Sequence, residues 1–147
     1  MTTQINTESL TSLSRKGTCL EFFSAYQELD IDRMIGLCNP QGEVWFQPLG
    51  EAGKGTIGEF GRTLWLGLMD SFPDLDNTVD SATTDGDTVV CKVAIFGTQQ
   101  KDFADIPSKG LGFNSDHIFI FRFTPEDKID SLTIHWDHES FQRQLGA

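Results

Sequence analysis

A chain of 147 residues with 38% hydrophobic side chains and 12 Phe has the length of one ordinary domain and enough apolar surface to bury a core without covalent staples. Its 22 acidic against 11 basic residues leave a formal charge of -11 and no run of Lys or Arg to follow a phosphate backbone, which argues against nucleic acid and an anionic membrane surface as partners. Cys19, Cys38 and Cys91 are odd in number and far apart, as expected of small buried apolar residues rather than of a disulfide framework or zinc knuckle.

Residues 1–12 read as a polar leader without the basic start and apolar centre of a secretory signal. No apolar run is long enough to cross a bilayer, so the expected compartment is the cytoplasm. Between 13 and 37 apolar residues recur at helical spacing, with Leu20, Phe23 and Tyr26 in one group and Ile31, Met34, Ile35 and Leu37 in another. This predicts two helices broken near Leu29-Asp30, with Asp30 capping the second. Asn39-Pro40-Gln41-Gly42 then stops the helix, and residues 43–47 form a short strand ended by Pro48. The Gly-rich stretch 50–55 lacks both the spacing and the Gly-Lys-Ser/Thr ending of a phosphate loop and is expected to be a flexible connection. A third helix opens near Thr56 and runs to about Ser71, with Ile57, Phe60, Leu64, Leu68 and Met69 on its buried stripe.

Phe72-Pro73-Asp74-Leu75 breaks that helix, and four strands follow, at 76–84, 88–97, 113–123 and 128–137. Asp85-Gly86 between the first two is a hairpin signal. A short helix over 139–146 closes the chain. Helices first and an antiparallel sheet afterwards define an α+β order in one domain spanning 1–147. The simplest packing curves a mostly antiparallel sheet around the N-terminal helices, leaving a cone with a concave, ligand-sized wall.

In a strand, side chains alternate between faces. His117, Phe119, Phe121 and Phe123 therefore share one side of their strand, with Ile118, Ile120 and Arg122 opposite. In the last strand Leu132, Ile134 and Trp136 take one face, while Ser131, Thr133, His135 and Asp137 take the other, where His135 and Asp137 could share a proton. A carboxyl group among Trp and Phe side chains would be disfavoured as an anion and its pKa raised, which suits it to take and give a proton near neutrality. Asp137 also precedes a short helix and is suited to cap it, and the two roles are compatible. His135 and His117 are candidates to assist, and Tyr26, Trp45 and Trp65 are candidate lining residues for which core packing is an equal explanation. Arg122 is expected on the outer face of the sheet. No metal site is expected, because His135 and His138 should face apart, and no nucleophile elbow occurs.

Ser71-Phe72-Pro73-Asp74-Leu75, Asp85-Gly86-Asp87 with the strand ending Phe96-Gly97-Thr98, Ile120-Phe121-Arg122-Phe123 before Glu126-Asp127-Lys128-Ile129, and His135-Trp136-Asp137 before Gln144-Leu145-Gly146 follow one another in order. Together they resemble the SnoaL-like polyketide cyclases and ester-cyclase-like relatives of the nuclear transport factor 2-like superfamily. The resemblance implies a cone-shaped α+β barrel and an acid at Asp137 acting as general acid and base in ring-closing aldol chemistry. It also implies no metal or organic cofactor and a homodimer formed through the outer face of the sheet. Where relatives commonly carry a His this chain has Gln99-Gln100, and where many cyclases carry a carboxylate it has Phe119. The resulting expectation is an acid/base enzyme (cyclase, isomerase, dehydratase or hydrolase) for a small hydrophobic, carbonyl-bearing molecule. Asp137, His135 and His117 would carry the chemistry, and Tyr26, Trp45, Trp65, Phe119, Phe121 and Thr133 would line the site. The alternative is a non-catalytic ligand-binding or dimeric module of the same fold.

Overall fold

The computed structural model describes residues 10–147; the first nine residues of the expected polar leader lie outside them, and Leu10, Thr11 and Ser12 already belong to the first helix. Helix α1 (Leu10–Gln27) ends at a turn in which Leu29 takes φ 56°. Helix α2 (Ile31–Gly36) follows, its cap Asp30 accepting a hydrogen bond from the Arg33 amide at 3.1 Å. The side-chain oxygen satisfies one of the amides that a helix start leaves unpaired, which is why the break falls at Asp30.

Strand β1 (Cys38–Phe46) starts earlier than its composition suggests, because the expected turn at residues 39–42 is absorbed as an irregularity between Cys38 and Glu43 in its pairing with the last strand. Gly42 permits that approach: a Cβ there would lie 2.0 Å from the Asp130 carbonyl oxygen. A 3-10 turn (Gln47–Gly53) leads to strand β2 (Lys54–Thr56), which pairs antiparallel with β1, so the end of the supposed flexible connection is an edge strand. A π-turn (Ile57–Gly61) precedes helix α3 (Arg62–Ser71). The remaining elements are β3 (Asp76–Asp85), β4 (Thr88–Thr98), β5 (Gly112–Phe123), β6 (Ile129–Trp136) and helix α4 (His138–Gln144).

The six strands form one curved, open sheet in the order β2-β1-β6-β5-β4-β3, antiparallel throughout except for the parallel β1–β6 pair. In the β5–β6 ladder His117 lies opposite Trp136, Phe119 opposite Ile134 and Phe121 opposite Leu132. Directly opposed residues share a face, so those six side chains belong to the concave side. Ile118 with His135, Ile120 with Thr133 and Arg122 with Ser131 belong to the convex side. Helix α1 fills the narrow part of the cone: Phe22 and Phe23 make edge-to-face contacts with Phe119 and Phe121 at ring separations of 4.8–6.5 Å. Cys19, Cys38 and Cys91 are free thiols buried in this core. Among the described residues, no helix is long and apolar enough to cross a membrane.

Candidate active site

The wide part of the cone keeps a cavity of about 550 Å³, within the range of small-molecule sites. Its walls are Tyr26 from α1, Phe46 from β1, Leu64, Trp65 and Leu68 from α3, and the concave side chains Ile95, Phe113, His117, Phe119, Ile134 and Trp136. Two further pieces complete the lining: the segment 102–106 of the β4–β5 connection, and His138, Phe141 and Gln142 of α4. The connection is held down by Gln99, which is fully buried and donates through Nε2 to the Ile106 carbonyl at 2.9 Å. Asp70, Asp102 and Asp105 also touch the cavity, the first two with partners of their own: Asp70 pairs with Lys101 at 3.0 Å and Asp102 accepts from the Ser108 amide at 2.9 Å. Among the described residues no group of three or more His, Cys, Asp or Glu side chains is arranged to hold a metal ion.

The aromatic side chains of the lining and of the core behind it form two clusters. Phe46, Trp65, Tyr26 and Phe22 pack at one end, and Phe72, Phe103, Phe113 and Phe141 at the other. A row of rings joins them: Phe119 to His117 at 6.1 Å, His117 stacked on Trp136 at 5.6 Å, Trp136 to His138 at 5.8 Å, and His138 stacked on Phe141 at 5.8 Å. Both imidazoles lie in this row because 136 and 138 have the same parity at the end of β6 and Trp136 faces His117 across the ladder.

His117 Nδ1 lies 3.0 Å from the Ser115 carbonyl oxygen, so it carries the ring proton and donates. Nε2 then bears the free lone pair and meets no hydrogen-bond partner among the described residues. Loss of hydration in the wall pushes the His117 pKa down to about 4, against the opposing pull of the Ser115 carbonyl and the Asp116 carboxylate. The ring is neutral at pH 7. Burial raises the Tyr26 pKa, so its phenol keeps its proton at the cavity wall.

The sequence candidates fall into two groups. His117, Tyr26, Trp65 and Phe119 line the cavity. Phe121 shares their face but is fully buried against Phe22 and Phe23 beyond the cavity floor. The expectation that Asp137 and His135 turn inward is corrected by the ladder: the polar face of β6 is the convex one, and both residues continue its parity. Asp137 is exposed, and its Oδ1 accepts the Ser140 amide at 2.9 Å as the cap of α4. His135 and Thr133 lie on the convex face beside Ile118 and Ile120. Trp45 lies on that face too, opposite Thr133, with Nε1 donating to the Gly50 carbonyl at 3.0 Å and Lys54 Nζ 4.4 Å from its ring centre, while its neighbour Phe46 points inward. Phe46, Trp136, His138 and Phe141 are wall residues that the sequence reading did not single out, and Phe113 extends the His117-Phe119 row toward the start of β5. Pairing is the signal that could have found Trp136, since the residue opposite His117 must share its face; His138 and Phe141 lie in α4, beyond the ladder.

A cone-shaped α+β sheet with an aromatic cavity at its wide end and imidazoles in the wall is an architecture of the nuclear transport factor 2-like type. The SnoaL-like polyketide cyclase family matches residues 59–145, more than half of the chain, and the chain belongs to that family. No curated protein matches it. Solved structures share the fold at low identity. A candidate SnoaL-like polyketide cyclase from Jannaschia sp. CCS1 superposes with a TM-score of 0.86 at 18% identity, covering 97% of this chain and 98% of that one. AclR, a candidate hydroxylase from Streptomyces galilaeus, gives 0.79 at 21% over 92% and 97%. IdmH, a candidate polyketide cyclase from Streptomyces antibioticus, gives 0.75 at 22% over 90% and 99%. The same fold thus stands behind differently described activities, and the reaction must be argued from the site.

Proposed function

We propose that this chain is a proton-transfer enzyme for a neutral, mainly apolar small molecule bearing carbonyl groups, with His117 Nε2 as the group that takes the proton. The observation that carries this reading is the fixed tautomer of His117 in the cavity wall: the ring lines the cavity, Nδ1 is held by the Ser115 carbonyl, and Nε2 has no hydrogen-bond partner among the described residues. The two cyclase-described structures and the family itself support a reaction of this class. Tyr26 supplies a neutral phenol in the same cavity.

The strength of the base narrows the substrate. A group held near pKa 4 is deprotonated at neutral pH and is best matched to carbon acids whose conjugate base is well delocalised. A C–H between two carbonyls satisfies this. Asp137, exposed and engaged in capping, holds the chain end that carries His138 rather than the reacting atoms.

The test is deuterium exchange at the C2 position of ethyl benzoylacetate, followed by proton NMR in heavy water. The wild-type protein accelerates exchange above the buffer rate; His117→Asn, which keeps a donor toward Ser115, loses most of the acceleration, and Asp137→Asn retains it. Loss in Asp137→Asn with retention in His117→Asn overturns the assignment.

We further propose that the convex face pairs with a second copy. Ile118 is 39% exposed there, and Ile120, Val90 and Phe96 are only partly covered.

A further inference from the structure

His138 was not singled out for chemistry by the sequence, yet its geometry is as constrained as that of His117. The indole nitrogen of Trp136 lies 3.2 Å from His138 Nδ1. An indole N–H can only donate, so Nδ1 of His138 must accept. A neutral imidazole that accepts at Nδ1 carries its proton on Nε2. That nitrogen has no hydrogen-bond partner among the described residues, although the ring lines the cavity and is stacked on Phe141. The two imidazoles in the row are therefore set in opposite tautomers. His117 offers the cavity a lone pair, and His138 offers it an N–H.

We propose that His138 Nε2–H is the donor that anchors a carbonyl oxygen of the ligand, with Trp136 as the positioning residue that fixes its tautomer. This rests on the reading of the cavity as a site for carbonyl-bearing molecules and adds to it the group that recognises the oxygen. Base and donor both stand against the Trp136 ring, the base stacked on its face at 5.6 Å and the donor at its indole N–H edge at 5.8 Å between ring centres. A substrate whose C–H faces His117 can thus place the adjoining carbonyl oxygen at His138, where negative charge grows as the proton leaves. A neutral donor aimed at that oxygen is worth more in a water-excluded site than in solvent. No proton needs to leave His138 during the step: the C–H bonding pair becomes the enolate, the proton passes to His117 Nε2, and the Nε2–H of His138 stays in place as a hydrogen bond to the enolate oxygen.

Two measurements test this. In protein labelled with 15N in its His rings, long-range proton–nitrogen spectra at pH 7.5 should show His138 protonated at Nε2 and bare at Nδ1, and His117 the reverse. Trp136→Phe, which keeps an aromatic ring but removes the indole N–H, should turn His138 into a tautomer mixture while leaving His117 at Nδ1–H. A proton on His138 Nδ1 in the wild type overturns the proposal. The second measurement compares the affinities of 2-acetylnaphthalene and 2-isopropenylnaphthalene, which differ by an oxygen in place of a CH2. Replacing His138 with Phe should lower the ketone-to-alkene affinity ratio about five- to tenfold, the worth of one neutral hydrogen bond. A ratio unchanged within about twofold overturns the proposal and leaves the cavity reading intact, provided both probes bind. Failure of either probe to bind the wild type overturns both.

Discussion

Titration of His117 turns the geometry of the cavity wall into a number. In water the imidazole has a pKa near 6.5, and in the wall it falls to about 4, because burial removes hydration that the charged form needs more than the neutral one. Between these values the unfolded chain binds a proton that the folded chain refuses, so stability rises with pH across the window. The contribution is fully present above about pH 6.5 and is lost as the pH falls toward 4. At about 1.4 kcal/mol per unit, the full span amounts to about 3 kcal/mol. Urea unfolding of the wild type and of His117→Asn from pH 4 to 8 isolates it, since other groups cancel in the difference. The wild type should lose about 3 kcal/mol relative to the variant between pH 7 and pH 4. A carbon-detected titration should place the His117 midpoint near 4. A difference that is flat with pH, or a midpoint at 6.5 or above, would refute the placement of His117 in a desolvated wall with an unpaired Nε2.

Two further predictions concern residues outside the cavity. Asp137→Ala removes the α4 cap and should cost about 1 kcal/mol in urea unfolding, while leaving the affinity for 2-acetylnaphthalene within about twofold. A large loss of affinity with unchanged stability would return Asp137 to the site. Ile118→Glu places a charge at the centre of the convex face and should convert the proposed dimer to monomer in sedimentation equilibrium. A wild type that is monomeric at high micromolar concentration would remove the dimer from the account.

Most of the elements could be read from the sequence because they carry a local signal; β2, the start of β1 and the π-turn before α3 do not. Asp30 marks a helix start, and Asp85-Gly86 turns β3 into β4 with Gly86 at φ 64°. The concave face of β5 was equally legible, since four alternate positions from 117 to 123 carry His and Phe. In β6 alternation separated two faces correctly but could not say which was concave. Its polar face resembled a catalytic wall, and its apolar face resembled core. The pairing shows that Leu132, Ile134 and Trp136 form one continuous surface that is core at one end and cavity wall at the other. The same ambiguity exchanged Trp45 for Phe46, adjacent aromatic residues of which only one can face inward. The segment 102–106 has no periodicity to betray its position against the cavity, where it is tied by hydrogen bonds with Ser71, Gln99 and Ser108. The role of His138 depends on one contact with Trp136, and the backbone at Asp137 directs both rings inward.

The most direct measurement is a crystal structure with the 2,2-dimethyl derivative of ethyl benzoylacetate, which has the shape of a dicarbonyl substrate but no C2 proton to lose. The account predicts its aryl group among Trp65, Phe46 and Phe119, its C2 beside His117 Nε2, and a carbonyl oxygen within hydrogen-bond reach of His138 Nε2. A ligand whose C2 lies nearer Asp137 than His117, or one bound on the convex face, would contradict it.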